Sequence, residues 1–212
     1  MSLEVFDYRT DIRNILVTPQ IRSRFLRMEI GQVNQSHSHD LGHEIFLILQ
    51  GRAEFEVEGN KAILEPGQMC IALTDERHIV RNVGDEPVIM YLSVTPHIQP
   101  THTMWQDDGA KAPPLFRPNN VYDVDDQNTP AEALVDRHLQ ASKALAETVA
   151  ATTKAQEEQV AAFKEALAHA DKVAALKARD AMWESLYLMY KKVYELAEAW
   201  NDFTARTADN EF

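Results

Sequence analysis

The chain has 212 residues, a net charge of −12 with histidine neutral, and one cysteine, Cys70. That length holds one generous domain or a domain with an appendage, and the acidic balance argues against a general binder of nucleic-acid phosphates. A single cysteine excludes an internal disulfide framework and suits a reducing compartment, so a cytoplasmic location is expected.

Residues 1–95 read as short strands. The runs Arg22–Ile30, Glu44–Leu49, Ala53–Val57, Gln68–Leu73, Ile79–Asn82 and Val88–Val94 are rich in β-branched and aromatic residues. Turn residues punctuate them at Gly31, Gly51, Gly59-Asn60, Pro66-Gly67 and Gly84-Asp85, a spacing that predicts an antiparallel barrel or sandwich. In the run at 53–57, Ala53, Phe55 and Val57 alternate with Glu54, Glu56 and Glu58, which gives one buried and one wet face. Residues 96–128 are proline-rich, with Trp105, Leu115, Phe116 and Tyr122, and are expected to pack over the barrel as a connector. Its histidines, His97 and His102, are expected as surface or hydrogen-bonded residues, not ligands.

From Thr129 the character changes. Thr129-Pro130-Ala131-Glu132 offers a capping box, and no glycine or proline follows Pro130. One straight helix over that span would be roughly 110 Å long, so two or three helices folded back on one another are expected over 129–212. Breaks are expected at Thr152-Thr153 and at His169–Asp171, where Asp171 can start a new helix. The last helix carries Met182, Leu186, Met189, Val193, Leu196, Trp200 and Phe203 at four-three spacing, a stripe for packing against helices. No stretch reaches the length of a membrane span, and the N-terminus lacks the order of a secretory leader, so no membrane partner is expected.

The segment HSHDLGHE places His37, His39, His43 and Glu44 directly before a strand. His37 and His39 share a side, because side chains alternate along an extended chain. Glu44 can return to that side after the bend, and His78 on a third strand would close the group. Three imidazoles and a carboxylate suit a divalent first-row metal, with iron, manganese, nickel and zinc all admissible. His43 points the other way along the strand. By the same parity Phe46 and Ile48 share the face of Glu44, while Val80 and Asn82 share that of His78, giving a mainly apolar wall fit for a small molecule. Arg24 and Arg27 lie on opposite faces of their strand, so one of them can look inward and favour an anionic ligand.

Residues 31–51 fit G-x5-H-x-H-x4-E-x6-G at every fixed position. A second pattern, G-x5-P-x-G-x2-H-x3-N, is met at Gly67, His78 and Asn82, with Leu73 and Asp75 in place of its proline and second glycine. In these motifs the chain resembles the cupin superfamily over roughly residues 20–95. The resemblance implies a double-stranded β-helix barrel over 1–95 and does not extend to the helical tail; with the connector over 96–128 and a helical hairpin or small bundle over 129–212 read from the sequence pattern, the expected fold is mainly β with an α appendage. It implies His37, His39, Glu44 and His78 as metal ligands, and Glu44 as a residue that can leave the metal to take a proton from substrate. A metal-dependent enzyme on a phenolic, diketone or organic-acid substrate is the leading expectation, with dioxygenase chemistry first. A non-catalytic ligand or metal sensor is the alternative. A homodimer with no nucleic-acid partner completes the expectations.

Overall fold

The computed structural model describes residues 3–122 and 128–208, and these fall into two compact units. The first unit is built on eight strands: β1 (Asn14–Val17), β2 (Arg22–Met28), β3 (His43–Gln50), β4 (Ala53–Val57), β5 (Asn60–Leu64), β6 (Met69–Ala72), β7 (His78–Asn82) and β8 (Val88–Thr95). All pair antiparallel, in one sheet ordered β1-β2-β8-β3-β6 and a second ordered β5-β4-β7. The expected runs are all present, most with ends shifted by a residue or two. β1 and β5 come in addition. No alternation marks β5, whose first four residues are all exposed.

Residues directly opposite on neighbouring strands point to the same side, so the register orders the interior into rows. Arg22, Val94, Glu44 and Ala72 make one row across β2, β8, β3 and β6. Arg24, Leu92, Phe46 and Cys70 make the next, and Leu26, Met90 and Ile48 the one after. The facing sheet contributes Val57 opposite His78, Phe55 opposite Val80 and Ala53 opposite Asn82. Between the sheets lies an apolar core that includes Met28, Phe46, Ile48, Phe55, Val80 and Met90. Phe46 and Phe55 meet across it with ring centroids 5.0 Å apart. The wet face of β4 behaves as its alternation requires: Arg81 pairs with Glu54 at 2.9 Å and Glu56 at 2.8 Å.

The connector packs on the barrel. Ser38 and Thr103 exchange backbone hydrogen bonds of 3.0 and 2.8 Å, and the Trp105 indole donates to the Ser38 hydroxyl at 3.1 Å. The Arg77 guanidinium lies 3.7 Å from the Trp105 ring centroid. Tyr122, Asn119 and Thr101 are buried, and Leu115 stays largely exposed.

The second unit is a hairpin of α1 (Ala131–Ala168) and the part of α2 (Lys172–Ala208) up to Phe203. Its register is antiparallel. Arg137 pairs with Asp202, Thr152 donates to the Ser185 carbonyl at 3.1 Å, and Gln156 donates to the Met182 carbonyl at 2.8 Å. The expected break at Thr152-Thr153 is absent. Both hydroxyls find carbonyls, Thr152 on α2 and Thr153 at Val149 one turn back, so neither interrupts the helix. The break at 169–171 is present. Asp171 accepts from the Ala174 amide at 3.0 Å and starts α2. Asp171 and Ala170 in turn donate backward to the Ala166 and Leu167 carbonyls, closing α1 in a Schellman turn around Ala170 at φ 53°. The expected capping box does not form. Pro130 itself sits at the cap position of α1 and carries no polar side chain to satisfy the first amides. The stripe Met182, Leu186, Met189, Val193, Leu196, Trp200 and Phe203 is half-buried, while Trp183, Tyr187, Leu188 and Tyr190 are exposed.

Candidate metal centre

His37 and His39 lie on an irregular segment that runs beside β7. His37 and His78 exchange backbone hydrogen bonds of 3.3 and 2.9 Å, and the Asn34 amide donates to the Val80 carbonyl at 2.9 Å. His39 is held from the other side by the Asp75 amide, 2.9 Å from its carbonyl. Asp75 adopts φ 66°. It supplies the left-handed turn that the sequence pattern assigns to glycine, a conformation aspartate tolerates better than most residues. Gly42 lets the chain swing back into β3, because a Cβ there would lie 2.9 Å from the Pro96 carbonyl oxygen. Glu44 then enters from β3 and His78 from the first residue of β7.

These four side chains meet. One donor atom from each of His37, His39, Glu44 and His78 lies within 4.8 Å of the others, and all but His37 are fully buried. Glu44 Oε2 is 2.8 Å from His39 Nε2, 2.9 Å from His78 Nε2 and 3.9 Å from His37 Nε2. The other ring nitrogens decide what faces inward. His37 Nδ1 lies 2.8 Å from the Gln35 carbonyl, His78 Nδ1 lies 3.0 Å from the Glu76 carbonyl, and His39 Nδ1 meets the Thr101 carbonyl. A carbonyl only accepts, so each Nδ1 carries a proton, and each imidazole in its neutral form turns an Nε2 lone pair toward the Glu44 carboxylate. In that form acceptors converge on acceptors, and a cation between them would satisfy all four. With bonds near 2.1 Å, neighbouring ligands on one ion stand about 3.0 Å apart and opposite ones about 4.2 Å apart, and the three distances to Glu44 fall close to that range. The donor set fits a divalent transition metal.

With no ion between them, the same contacts act as hydrogen bonds from imidazole Nε2 to the Glu44 carboxylate. Burial opposes the charge of Glu44, but the contacts from His39 and His78 outweigh it and hold the carboxyl well below its usual range. His78 is raised above its ordinary value, with burial working against the charge and Glu44 overcoming it. Burial pushes His37 down to about 4, so it stays neutral and available as a ligand.

The cluster opens on a cavity of about 260 Å³, near the lower edge of small-molecule sites at roughly 300–1,000 Å³. His37 and Glu44 line it together with Leu26, Phe46, Val80 and Leu92, and with Arg22, Arg24, His102, Arg117 and Tyr122.

The model of the cupin domain matches residues 24–95. Those residues form a cupin domain. A Streptomyces cyaneus protein named polyketide synthase CurC is 32% identical over 91 residues, 41% of this chain and 59% of the relative, so the chain spans less than two thirds of that relative's length. Among solved structures, a conserved Klebsiella pneumoniae protein with a double-stranded β-helix domain shares 25% identity over 45% of this chain and 91% of its own, with a TM-score of 0.42. KdgF from a Halomonas species shares 24% identity over 45% of this chain and 79% of its own, with a TM-score of 0.37.

Within the cupin domain the residues expected at the site separate into three places. His37, His39, Glu44 and His78 come together, and Phe46 and Val80 line the cavity beside them. Ile48 lies deeper in the apolar core and Asn82 is a bracket, not a wall. The Asn82 amide donates to the Met28, Glu29 and Glu86 carbonyls at 3.2, 3.1 and 2.9 Å and accepts from Gly84 at 3.0 Å. His43 points outward, its Nδ1 accepting from the Thr74 amide at 3.0 Å. Arg24 faces the cavity, and Arg27 pairs outside with Glu29 at 2.8 Å.

Sequence reasoning missed two neighbours of the cluster. The His102 ring lies 4.8 Å from that of His37 and 5.0 Å from that of His39, and burial holds it well below its ordinary pKa. Its spacing from His78 gives no motif, since the connector's path alone brings it in. Arg22 shares the parity of Arg24, which is the signal that would have found it.

Proposed function

We propose that the protein is a metal-dependent cupin enzyme acting on a small oxygen-rich organic substrate, with dioxygenase chemistry the leading reading. The observation that carries it is the convergence of three imidazole Nε2 atoms and a buried carboxylate at the edge of a small cavity. A bound iron, manganese, nickel or zinc ion would supply Lewis-acid polarisation of a substrate oxygen and, if iron, the means to use dioxygen. The chain's own residues supply the rest. The Gln35, Glu76 and Thr101 carbonyls fix the imidazole tautomers, and Leu26, Phe46, Val80 and Leu92 exclude bulk water. Glu44 lines the cavity as well as the cluster, so its carboxylate can take a proton from a substrate C–H or O–H. A relative named as a polyketide synthase supports a substrate with enolisable or phenolic oxygens.

The test is a screen of phenols, 1,3-diketones and small acids against the iron, manganese, nickel and zinc forms, following oxygen uptake and product formation. Turnover should depend on Glu44, with Glu44→Gln keeping part of the metal and losing activity. A ligand bound tightly at the metal with no turnover across the screen would replace this reading by the non-catalytic one.

A further inference from the structure

The wall of the cavity opposite the histidines is cationic. Arg22, Arg24 and Leu26 alternate along β2 and all face inward, where the next residue in that series, Met28, is core. Arg22 is 3% exposed, its Nε is buried without a hydrogen-bond partner, and among the described residues it pairs with no carboxylate. Its neighbour of note is the Tyr122 ring, 5.7 Å from the guanidinium carbon. A guanidinium cannot shed its proton to escape burial, so an unpaired one is costly unless something else supplies the negative charge. Glu44 is the carboxylate that lines the same cavity, but its Oε2 is already directed to the imidazoles. Arg22 and Glu44 occupy one row with Val94 between them, so their backbones stand two strand spacings, about 10 Å, apart.

We infer that Arg22 receives the carboxylate of a small organic acid whose second oxygen donor faces the His37, His39, Glu44 and His78 cluster. This rests on the reading that the cluster holds a metal. A planar guanidinium meets a carboxylate through two parallel hydrogen bonds, which orients the acid as well as binding it. The row geometry places the acid's other end toward the cluster, and the cavity volume limits it to a compact molecule. Arg24 and Arg117 line the same wall and add to its positive potential.

The experiment uses the full chain loaded with zinc and titrates it calorimetrically with oxalate, malonate and salicylate, each against its neutral amide, and with inorganic phosphate. At least one acid should bind well ahead of its amide. Arg22→Met should weaken that acid by about tenfold to hundredfold, leave the amide unchanged and leave metal content intact. Arg22→Met should also raise the melting temperature of the ligand-free protein, because it removes an unpaired buried charge, whereas a merely structural arginine would leave the variant less stable. Equal binding of acid and amide, an Arg22→Met variant that binds the acid normally, or no acid bound at millimolar concentration would each overturn the inference. Phosphate binding as tightly as the acids with the same Arg22 dependence would overturn the carboxylate assignment. Failure of the wild type to take up metal would instead sink the metal reading. The acid-against-amide comparison on chelator-treated protein then decides the subsite, an Arg22-dependent preference supporting it and equal binding sinking it.

Discussion

Replacing His78 with alanine should abolish the stabilisation that metal confers. At a metal concentration a hundredfold above Kd, binding to the folded state alone adds about 2.7 kcal/mol, which for a chain of this size is roughly 5–10 °C in melting temperature. His78 is one of four donors, and its Nε2 lies 2.9 Å from Glu44. Losing it leaves three donors and an empty space beside a buried carboxylate. The metal-free variant will already be weaker, because a buried polar group that loses a partner costs about 1–3 kcal/mol. The informative quantity is therefore the metal-induced shift within each variant, not the absolute melting temperature. His43→Ala is the matched control: it removes an outward histidine four residues from His39 and should keep the full shift. Scanning calorimetry with and without metal, with plasma emission analysis of the same samples, gives both numbers. Full metal occupancy in a His37→Ala/His78→Ala double variant would refute the argument from converging ligand atoms.

Asn82→Ala should destabilise the barrel by about 2–4 kcal/mol, since it strands the Met28, Glu29 and Glu86 carbonyls together with the Gly84 amide; urea denaturation with a change below about 1 kcal/mol would contradict that role. Ala170→Gly should stabilise the hairpin by up to about 1 kcal/mol, because relieving a left-handed non-glycine residue gains about 1–2 kcal/mol and glycine's extra chain entropy returns part of it; a lower melting temperature would argue against the turn at 169–171. The full chain should be a homodimer, since Trp183, Tyr187 and Tyr190 remain exposed on a hairpin that buries one seam; light scattering that returns the monomer mass across a wide concentration range would rule the dimer out.

How much of this was legible in the sequence differs between local and long-range features. The His37, His39 and Glu44 spacing is local, so parity alone placed those side chains together, and the same holds for Asp171 as the start of α2. Asp75 was legible for a chemical reason, since its left-handed φ could be inferred from the position it fills. What parity cannot give is which strands become neighbours. Arg22 is brought into the row of Glu44 by the pairing of β2 and β3 on either side of β8, and that register is tertiary. His102 is hydrogen-bonded, its Nδ1 2.8 Å from the Thr101 hydroxyl, as expected, but its place beside the cluster was hidden for the same reason: it sits on the connector, whose course is set by the Ser38 and Thr103 bridge. β5 was hidden because Ala62, Ile63 and Leu64 run together without alternation and only Leu64 is buried. The expected break at Thr152-Thr153 failed because propensity was weighed without the partner helix, where Ser185 offers Thr152 its carbonyl.

The candidate site draws on residues both inside and outside the span that matches the cupin domain. His37, His39, Glu44 and His78 all fall within residues 24–95, the span that matches the cupin domain. Arg22, His102, Arg117 and Tyr122 line the same cavity from outside that span. The donor cluster therefore lies inside the matched span, while part of the cavity wall comes from residues outside it. The connector does more than roof the cavity, because the Thr101 carbonyl meets His39 Nδ1 and so fixes which nitrogen of that ring faces Glu44. Without residues 96–122, His39 would lose the carbonyl that sets its tautomer and Ser38 the strand partner that holds its backbone. The candidate site is thus built by the barrel together with its connector through Tyr122, and replacing residues 96–122 should disturb both the cavity wall and the setting of His39.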